Sequence, residues 1–552
     1  MKEAKGKYIY GFITSLVPFA ERRIIKMKLR RIIGGIAAAA ITVPMLAACG
    51  GQTSNAELTQ DSEGNYVYSE QVELKIPVYD RGTQGQAPVD DNYWTNYIQE
   101  NFGNKHNIKV TFVPITRNDD VAVFNRLLAA GEEPDIIFSY DYPVAMEFYS
   151  KGALQEINEE DFKKYAPTYY EYTAGTQKYG RLEDKMYFFA ATRPDFDSYV
   201  TLVRTDWLEQ CGLDMPKNRQ EYYEMLKAFK ENQCGGADTI PATKVLGNAY
   251  YANYDFRPYP MDEREKALYS DISVASLTYE ATKEQLKWDN QLYNEGLVSP
   301  NFYLDTDESQ ALADFTSGKA GVFSGYLPNQ LLFQTLQENC PEAKVDVLEA
   351  YDPPTPGRKY WSFGMLSGIS ARCEHPEAVM MYLEWMVQEE NLFALQNGVE
   401  GKTYNMQDGV PMLVTDYAGE ERLMNGTNKD LWCVVTEGVD YGSVEADKQV
   451  QKHTYVPEGY EYLIDEIYTK AEANKPVLYE DTLFTTQITS LSTYKADLLE
   501  KWKTYFTDLV TCDPSEFDAK YEQYCTEYLN AGYQAILDEK AAAFDAVQYL
   551  KD

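Results

Sequence analysis

Between residues 72 and 78 apolar and polar side chains alternate: Val72, Leu74, Ile76 and Val78 are separated by Glu73, Lys75 and Pro77, and Ile108, Val110 and Phe112 repeat the rhythm. A period of two places one set of side chains on one face of a pleated strand, so both segments are predicted as strands. Asp119 and Asp120 stand where a helix cap is wanted, ahead of Val121, Phe124, Leu127 and Leu128 at helical spacing, and Pro134-Asp135-Ile136-Ile137-Phe138 reads as a short buried strand. Strand, helix and strand at this spacing predict an α/β fold with a mostly parallel sheet, whose ligands sit beyond the carboxyl ends of the strands. Those ends carry Tyr79, Asp80 and Arg81 after the first strand and Tyr140, Asp141 and Tyr142 after the third.

Further along, Trp207, Leu208, Tyr222, Met225, Leu226 and Phe229 predict a helical region broken at Gly212 and Pro216, and residues 285–294 a helix stopped by Gly296. Residues 320–323 read as a buried strand ending at Ser324-Gly325-Tyr326, and residues 360–369 as another, feeding a helix opened by Pro376 with Val379, Leu383, Met386 and Val387 inward. From about residue 481 the chain is mainly helical, with Phe517, Tyr521, Tyr524, Tyr528 and Leu529 on one side. No internal repeat interrupts this order.

The amino terminus follows a different logic. Met27-Lys-Leu-Arg-Arg precedes an apolar run over 32–45 and then Leu46-Ala47-Ala48-Cys49-Gly50. A basic start, a short apolar run and a small-residue cleavage site form a secretory signal, too short for a comfortable membrane span. Leu-Ala-Ala-Cys-Gly at that place resembles a bacterial lipobox, which implies diacylglycerol on the Cys49 thiol and a membrane-held mature chain. Residues 1–26 read as a spurious upstream extension of a 27–48 signal peptide, and residues 49–70 as the lipidated cysteine with a polar, flexible tether.

Charge narrows the partners. Nine of the 51 Lys and Arg, but only two of the 86 Asp and Glu, lie in residues 1–48, so the remainder carries a formal charge of −42. Such a surface repels phosphate backbones, and nucleic acid is excluded as a partner. The 46 Tyr, 23 Phe and 7 Trp supply the packing surface that a disordered chain lacks. Besides Cys49 there are seven cysteines, 211, 234, 340, 373, 433, 512 and 525, with no C-x-x-C pair and no spacing suited to zinc; they read as small buried residues or an isolated disulfide. Neither a metal nor another cofactor is expected.

Several ordered segments carry a resemblance. Phe315-Thr-Ser-Gly318-Lys319-Ala320-Gly321, Pro134-Asp135-Ile136, residues 148–154, Val203-Arg204-Thr205-Asp206-Trp207-Leu208, residues 292–297, His375-Pro376-Glu377-Ala378 and Gly398-Val-Glu-Gly401-Lys402-Thr403-Tyr404 are similar to the motifs of the extracellular solute-binding proteins of family 1, in their Gram-positive lipoprotein branch. The resemblance implies a two-lobed periplasmic-binding-protein-like fold with hinge crossovers and a helical carboxyl-terminal region. Lobe one would hold 71–195 plus 350–400 and lobe two 196–349 plus 401–552, with hinges at 193–199 and 351–361. It also implies a monomer that closes around a small ligand and hands it to the permease subunits of an ABC importer.

Sugars present apolar C–H faces and hydroxyl rings, which suit aromatic platforms beside charged hydrogen-bonding groups. Tyr79, Asp80, Arg81, Tyr140, Asp141, Tyr142, Arg193, Tyr326 and Trp361 are therefore the candidate ligand residues, with oligosaccharide as the leading ligand and peptide or polyamine as alternatives. No catalytic set emerges: His106, His375 and His453 are the only histidines, and H-E-x-x-H, G-x-S-x-G and G-x-G-x-x-G do not occur. The chain is expected not to be an enzyme. The rival readings are a lipid-anchored hydrolase acting through paired carboxylates and an adhesive surface protein, the latter lacking repeats or wall signals.

Overall fold

The computed structural model describes residues 56–551 except 83–86, 183, 194–198, 247–261, 272–273, 307, 327–329, 349–350, 353–356, 415 and 422–428. The signal segment, Cys49 and the first part of the tether lie outside these residues. The rest of the tether does not behave as polarity suggested. Strand β1 (Leu58–Gln60) pairs antiparallel with β2 (Tyr66–Tyr68), because Asp61 accepts from the amides of Glu63 and Asn65 and Gly64 supplies φ +88°. Tyr68 is buried and donates to Glu377 at 2.8 Å, which ties this ribbon to the body.

The alternation at residue 72 produces β3 (Val72–Asp80), parallel to β4 (Ile108–Thr116) from Val72 opposite Ile108 to Asp80 opposite Thr116. Leu74, Ile76 and Val78 are wholly buried. Helix α1 (Asp120–Ala130) follows; Asp119 holds the N-cap position without a side-chain bond, and the Asp120 carboxylate accepts from the Val121 amide and the Tyr79 hydroxyl, both at 2.8 Å. Then come β5 (Ile136–Ser139), helix α2 (Tyr142–Ser150) and β6 (Phe189–Thr192).

After β6 the chain leaves this first core. Strand β7 (Tyr199–Arg204), helices α3 (Thr205–Cys211), α4 (Arg219–Glu231), α5 (Glu263–Tyr269), α6 (Glu280–Asn294) and α7 (Ser309–Thr316), and strands β8 (Val322–Tyr326) and β9 (Val345–Val347) follow. Strand β7 lies between β8 and β9, antiparallel to both. The pleat splits its side chains between two apolar clusters: Val200 and Leu202 join Phe315, Phe323 and Leu336, whereas Val203 joins Trp207, Met225 and Phe229. The Phe315 to Gly321 motif is the turn between α7 and β8. Gly318 adopts φ +78°, and a Cβ on Gly321 would lie 2.6 Å from the Trp207 ring.

The chain returns in β10 (Phe363–Ile369), which separates β5 from β6 and runs antiparallel to both. Of the strands named so far β3 and β4 alone pair in parallel, because the strand completing the other sheet arrives from about 230 residues downstream of β5 in the opposite direction. Asp135 joins the two sheets, its amide donating to the Lys75 carbonyl and its carboxylate accepting from the Lys75 amide. Helix α8 (Pro376–Val387) covers them with Val379, Leu383, Met386 and Val387, as its pattern predicted.

Beyond residue 400, Leu431, Trp432, Cys433, Val434 and Val435 pack with the first core. Three crossing segments therefore lie side by side. The Thr192 amide donates to the Val435 carbonyl, the Glu437 amide to the Thr192 carbonyl, and the Arg193 amide to the Ser362 carbonyl. Helices α9 (Val444–Tyr455) and α10 (Tyr462–Asn474) follow, and the latter packs its Leu463, Ile464 and Ile467 on the β7 sheet. Helices α11 (Thr489–Thr511), α12 (Phe517–Tyr528) and α13 (Gln534–Asp545) form a third core with α5 and α6. Among the described residues no helix is long and apolar enough to cross a membrane.

Candidate functional site

The carboxyl ends of β3, β4 and β5 meet. Tyr79 and Tyr140 stack with centroids 6.0 Å apart, and the Arg117 guanidinium lies 4.7 Å from the first ring and 5.6 Å from the second. Asp430, brought by the third crossing, is 1% exposed and locks the group: it accepts from the Tyr140 hydroxyl at 2.6 Å and from Arg81 through two bonds of 2.8 Å. That pairing raises the Arg81 pKa against the opposing pull of burial, and burial raises Tyr140 well above the ordinary phenol range.

In front of this group lies a cavity of about 240 Å³. Tyr140, Asp141, Tyr142 and Met146 line it from the first core, Arg193, Tyr360 and Trp361 from the crossings, and Lys266 and Asp271 from the region of α5. Residues between 481 and 492 and Lys540 of α13 complete the wall, with Leu483, Phe484, Ile488 and Leu491 as its buried apolar part. Trp361 is set by two contacts: its ring stacks on Phe363 at 5.4 Å and 16°, and its indole N–H donates to the Asp481 carbonyl at 3.0 Å. Arg193 donates to Glu437 at 2.7 Å and lies 5.0 Å over the Tyr360 ring, which is 50% exposed.

The four cations on this wall all have carboxylate partners: Arg193 with Glu437, Arg117 with Asp120 at 3.4 Å, Lys266 with Glu263 at 2.6 Å and Lys540 with Asp271 at 2.7 Å. Burial raises the Asp141 carboxyl, opposed by Lys495 and reinforced by Asp271. Tyr142 is 2% exposed and its hydroxyl has no hydrogen-bond partner among the described residues. A buried hydroxyl left without a partner costs free energy. Among the described residues no three His, Cys, Asp or Glu side chains are grouped so as to hold a metal ion.

Of the candidate residues, Tyr140, Asp141, Tyr142, Arg193 and Trp361 line the cavity. Tyr79 lies behind Tyr140, buried and bonded to Asp120. Asp80 is exposed and accepts from the Gly82 amide, and Arg81 is committed to Asp430. Tyr326 pairs through its backbone with Tyr199 in β7, and its side chain lies outside the described residues. Sequence reasoning missed Arg117, Tyr360, Phe484, Asp271 and Lys540. Arg117 follows β4 as Arg81 follows β3, so the rule of carboxyl ends, applied to every strand, would have found it. Phe484 and Lys540 carried no local signal.

The chain is similar to known proteins in sequence and fold. The family described as bacterial extracellular solute-binding protein matches residues 86–392. Lipoprotein LipO of Bacillus subtilis is 25% identical over 389 residues, 66% of this chain and 72% of that protein. The polygalacturonan/rhamnogalacturonan-binding protein YtcQ of the same organism is 24% identical over 315 residues, 54% of this chain and 61% of that protein. The HMO binding ABC-transporter associated solute binding protein of Bifidobacterium longum infantis superposes with a TM-score of 0.61 at 16% identity, over 87% of this chain and 99% of that one.

Proposed function

The chain belongs to the bacterial extracellular solute-binding protein family, and on that premise we propose that it captures a short, neutral oligosaccharide in the cavity between its cores and passes it intact to an ABC importer. The observation that carries this reading is the wall itself: the rings of Tyr140, Tyr360 and Trp361 beside Asp141 and Arg193. Flat rings suit the C–H faces of a pyranose, and Asp141 and Arg193 suit its hydroxyl groups. The volume, below the roughly 300–1,000 Å³ of common ligand sites, suits one or two sugar rings.

Neutrality follows from the pairing of the wall cations. A uronate needs an uncommitted Arg or Lys, and Arg117, Arg193, Lys266 and Lys540 each already face a carboxylate. Closure of the parts around the three crossings would trap the sugar and present the loaded form to the permease. No step breaks a bond in the guest.

A thermal-shift screen of the chain lacking residues 1–49 tests the reading. Neutral glucans, fructans or N-acetylated oligosaccharides should stabilise it by about 2.7 kcal/mol at a hundredfold excess over Kd, whereas oligogalacturonates and spermine should not. Cleavage of a stabilising sugar would establish the hydrolase reading instead. The lipobox-like segment supports anchoring at the outer membrane face through Cys49; Cys49→Ala should move the protein from the membrane fraction to the medium.

A further inference from the structure

In the second core the last residue of α3, Cys211, meets Cys234, which follows α4. Their sulfurs are 3.6 Å apart, in van der Waals contact. Both pack against the cluster of Trp207, Leu208 and Phe229. Neither position is free to drift. After Cys211, Gly212 turns left-handed at φ +68°, and the Leu213 amide returns to the Leu208 carbonyl. The Cys234 amide is held by the Phe229 carbonyl, and the adjoining Gly235 packs so closely that a Cβ there would lie 2.7 Å from the Lys319 carbonyl oxygen.

Three other thiols have different surroundings. The sulfur of Cys512 donates to the Leu509 carbonyl at 3.4 Å, and those of Cys340 and Cys525 lie 3.9 Å from the carbonyls of Thr316 and Leu277. We propose that Cys211 and Cys234 are oxidised to a disulfide in the secreted protein, locking the α3–α4 hairpin. Joining them requires the sulfurs to approach by about 1.6 Å, from 3.6 Å to disulfide length. Extracellular location, the property of the family, supplies the oxidising side of the membrane.

The oxidant is a disulfide-bearing thiol compound or oxidoreductase. One cysteine, as thiolate, attacks a sulfur of that disulfide and expels the first thiol, leaving a mixed disulfide on the protein. The second then attacks the protein-bound sulfur and expels the second thiol. The two cysteines lose two electrons and two protons, and the oxidant's disulfide is reduced to two thiols. Burial, with Cys211 beside it, pushes the Cys234 thiol up to about 12, so little of it is thiolate at neutral pH.

The test uses the secreted chain, alkylated under non-reducing conditions and digested, with a second sample equilibrated with oxidised glutathione. The expected result is one peptide pair linking Cys211 to Cys234, a mass lower by two hydrogens than the reduced form, and alkylation of both residues only after reductant. Closing this loop should shift the unfolding equilibrium on the order of 100-fold toward the fold. Reductant should therefore lower the melting midpoint of the wild type and leave that of Cys211→Ser unmoved. Should the variant not fold, the wild-type peptide map decides alone. Alkylation of both cysteines without reductant, even after glutathione treatment, or linkage of either to a different cysteine, overturns the proposal.

Discussion

Trp361 leans on Phe363 and fixes its indole edge to the Asp481 carbonyl. A ring so placed offers a sugar a platform whose orientation is already set, so little ordering cost accompanies binding. Trp361→Ala should weaken oligosaccharide binding about tenfold or more, read as Kd by calorimetry, with the melting midpoint of the free protein as control. Asp141 makes a different prediction. Burial raises its carboxyl above the value it has in the unfolded chain, so between those two pKa values the folded chain binds more protons than the unfolded one. Its contribution is fully present below the unfolded value and is lost as pH rises through the folded one. Asp141→Asn should match wild type near pH 3 and be more stable than wild type at neutral pH, checked by melting at a series of pH values. The same residue scale shows why single positions were only partly legible. Tyr79 and Tyr140 are both aromatic residues at strand ends, and only the arrival of Asp120 on one and the cavity on the other separates their roles.

Elements were more readable than their partners. Strands β3, β4 and β5 and helix α8 follow from alternation or from helical spacing behind a proline, because local burial on one face writes itself into the sequence. The Phe315 to Gly321 motif was legible for a packing reason: Gly318 must turn left-handed and Gly321 must admit the Trp207 ring. The β1–β2 ribbon was missed because its turn is made by Asp61, Gly64 and Asn65, residues that polarity alone assigns to a tether. Helix α11 shows a long-range device of the same kind. Asn290 in α6 donates to the carbonyls of Leu509, Val510 and Cys512 at the end of α11, sharing the first with the Cys512 thiol and the last with Asn294. Asn290→Ala should destabilise the third core by about 1–3 kcal/mol, measured by denaturant unfolding, and Asn290→Asp should not rescue it because a carboxylate cannot donate.

For the whole molecule, the α/β class and the helical carboxyl terminus were visible in advance, whereas the return of residues 431–435 to the first core was not. A five-residue apolar segment cannot declare which of three cores it fills. The cavity has the same origin. Its walls come from strand ends near residue 140, crossings near 193 and 361, and helices beyond 481, so it exists only after the chain has crossed three times. Only five of the nine candidate residues could be placed on it, since strand ends and crossings are local features and the carboxyl-terminal wall is not. The strong acidity acts at this scale too. A formal charge of −42 outside residues 1–48 disfavours polyanionic sugars at long range, and the paired wall cations leave nothing to offset it.

The central claim is that this cavity holds a neutral sugar without altering it. Calorimetric titration of the chain lacking residues 1–49 with short neutral oligosaccharides tests it most directly. The account predicts saturable one-to-one binding by at least one of them, weakened by Trp361→Ala and nearly insensitive to salt, with the sugar recovered unchanged. Heat that continues after mixing as products accumulate, or binding confined to charged ligands and steepened at low salt, would contradict it.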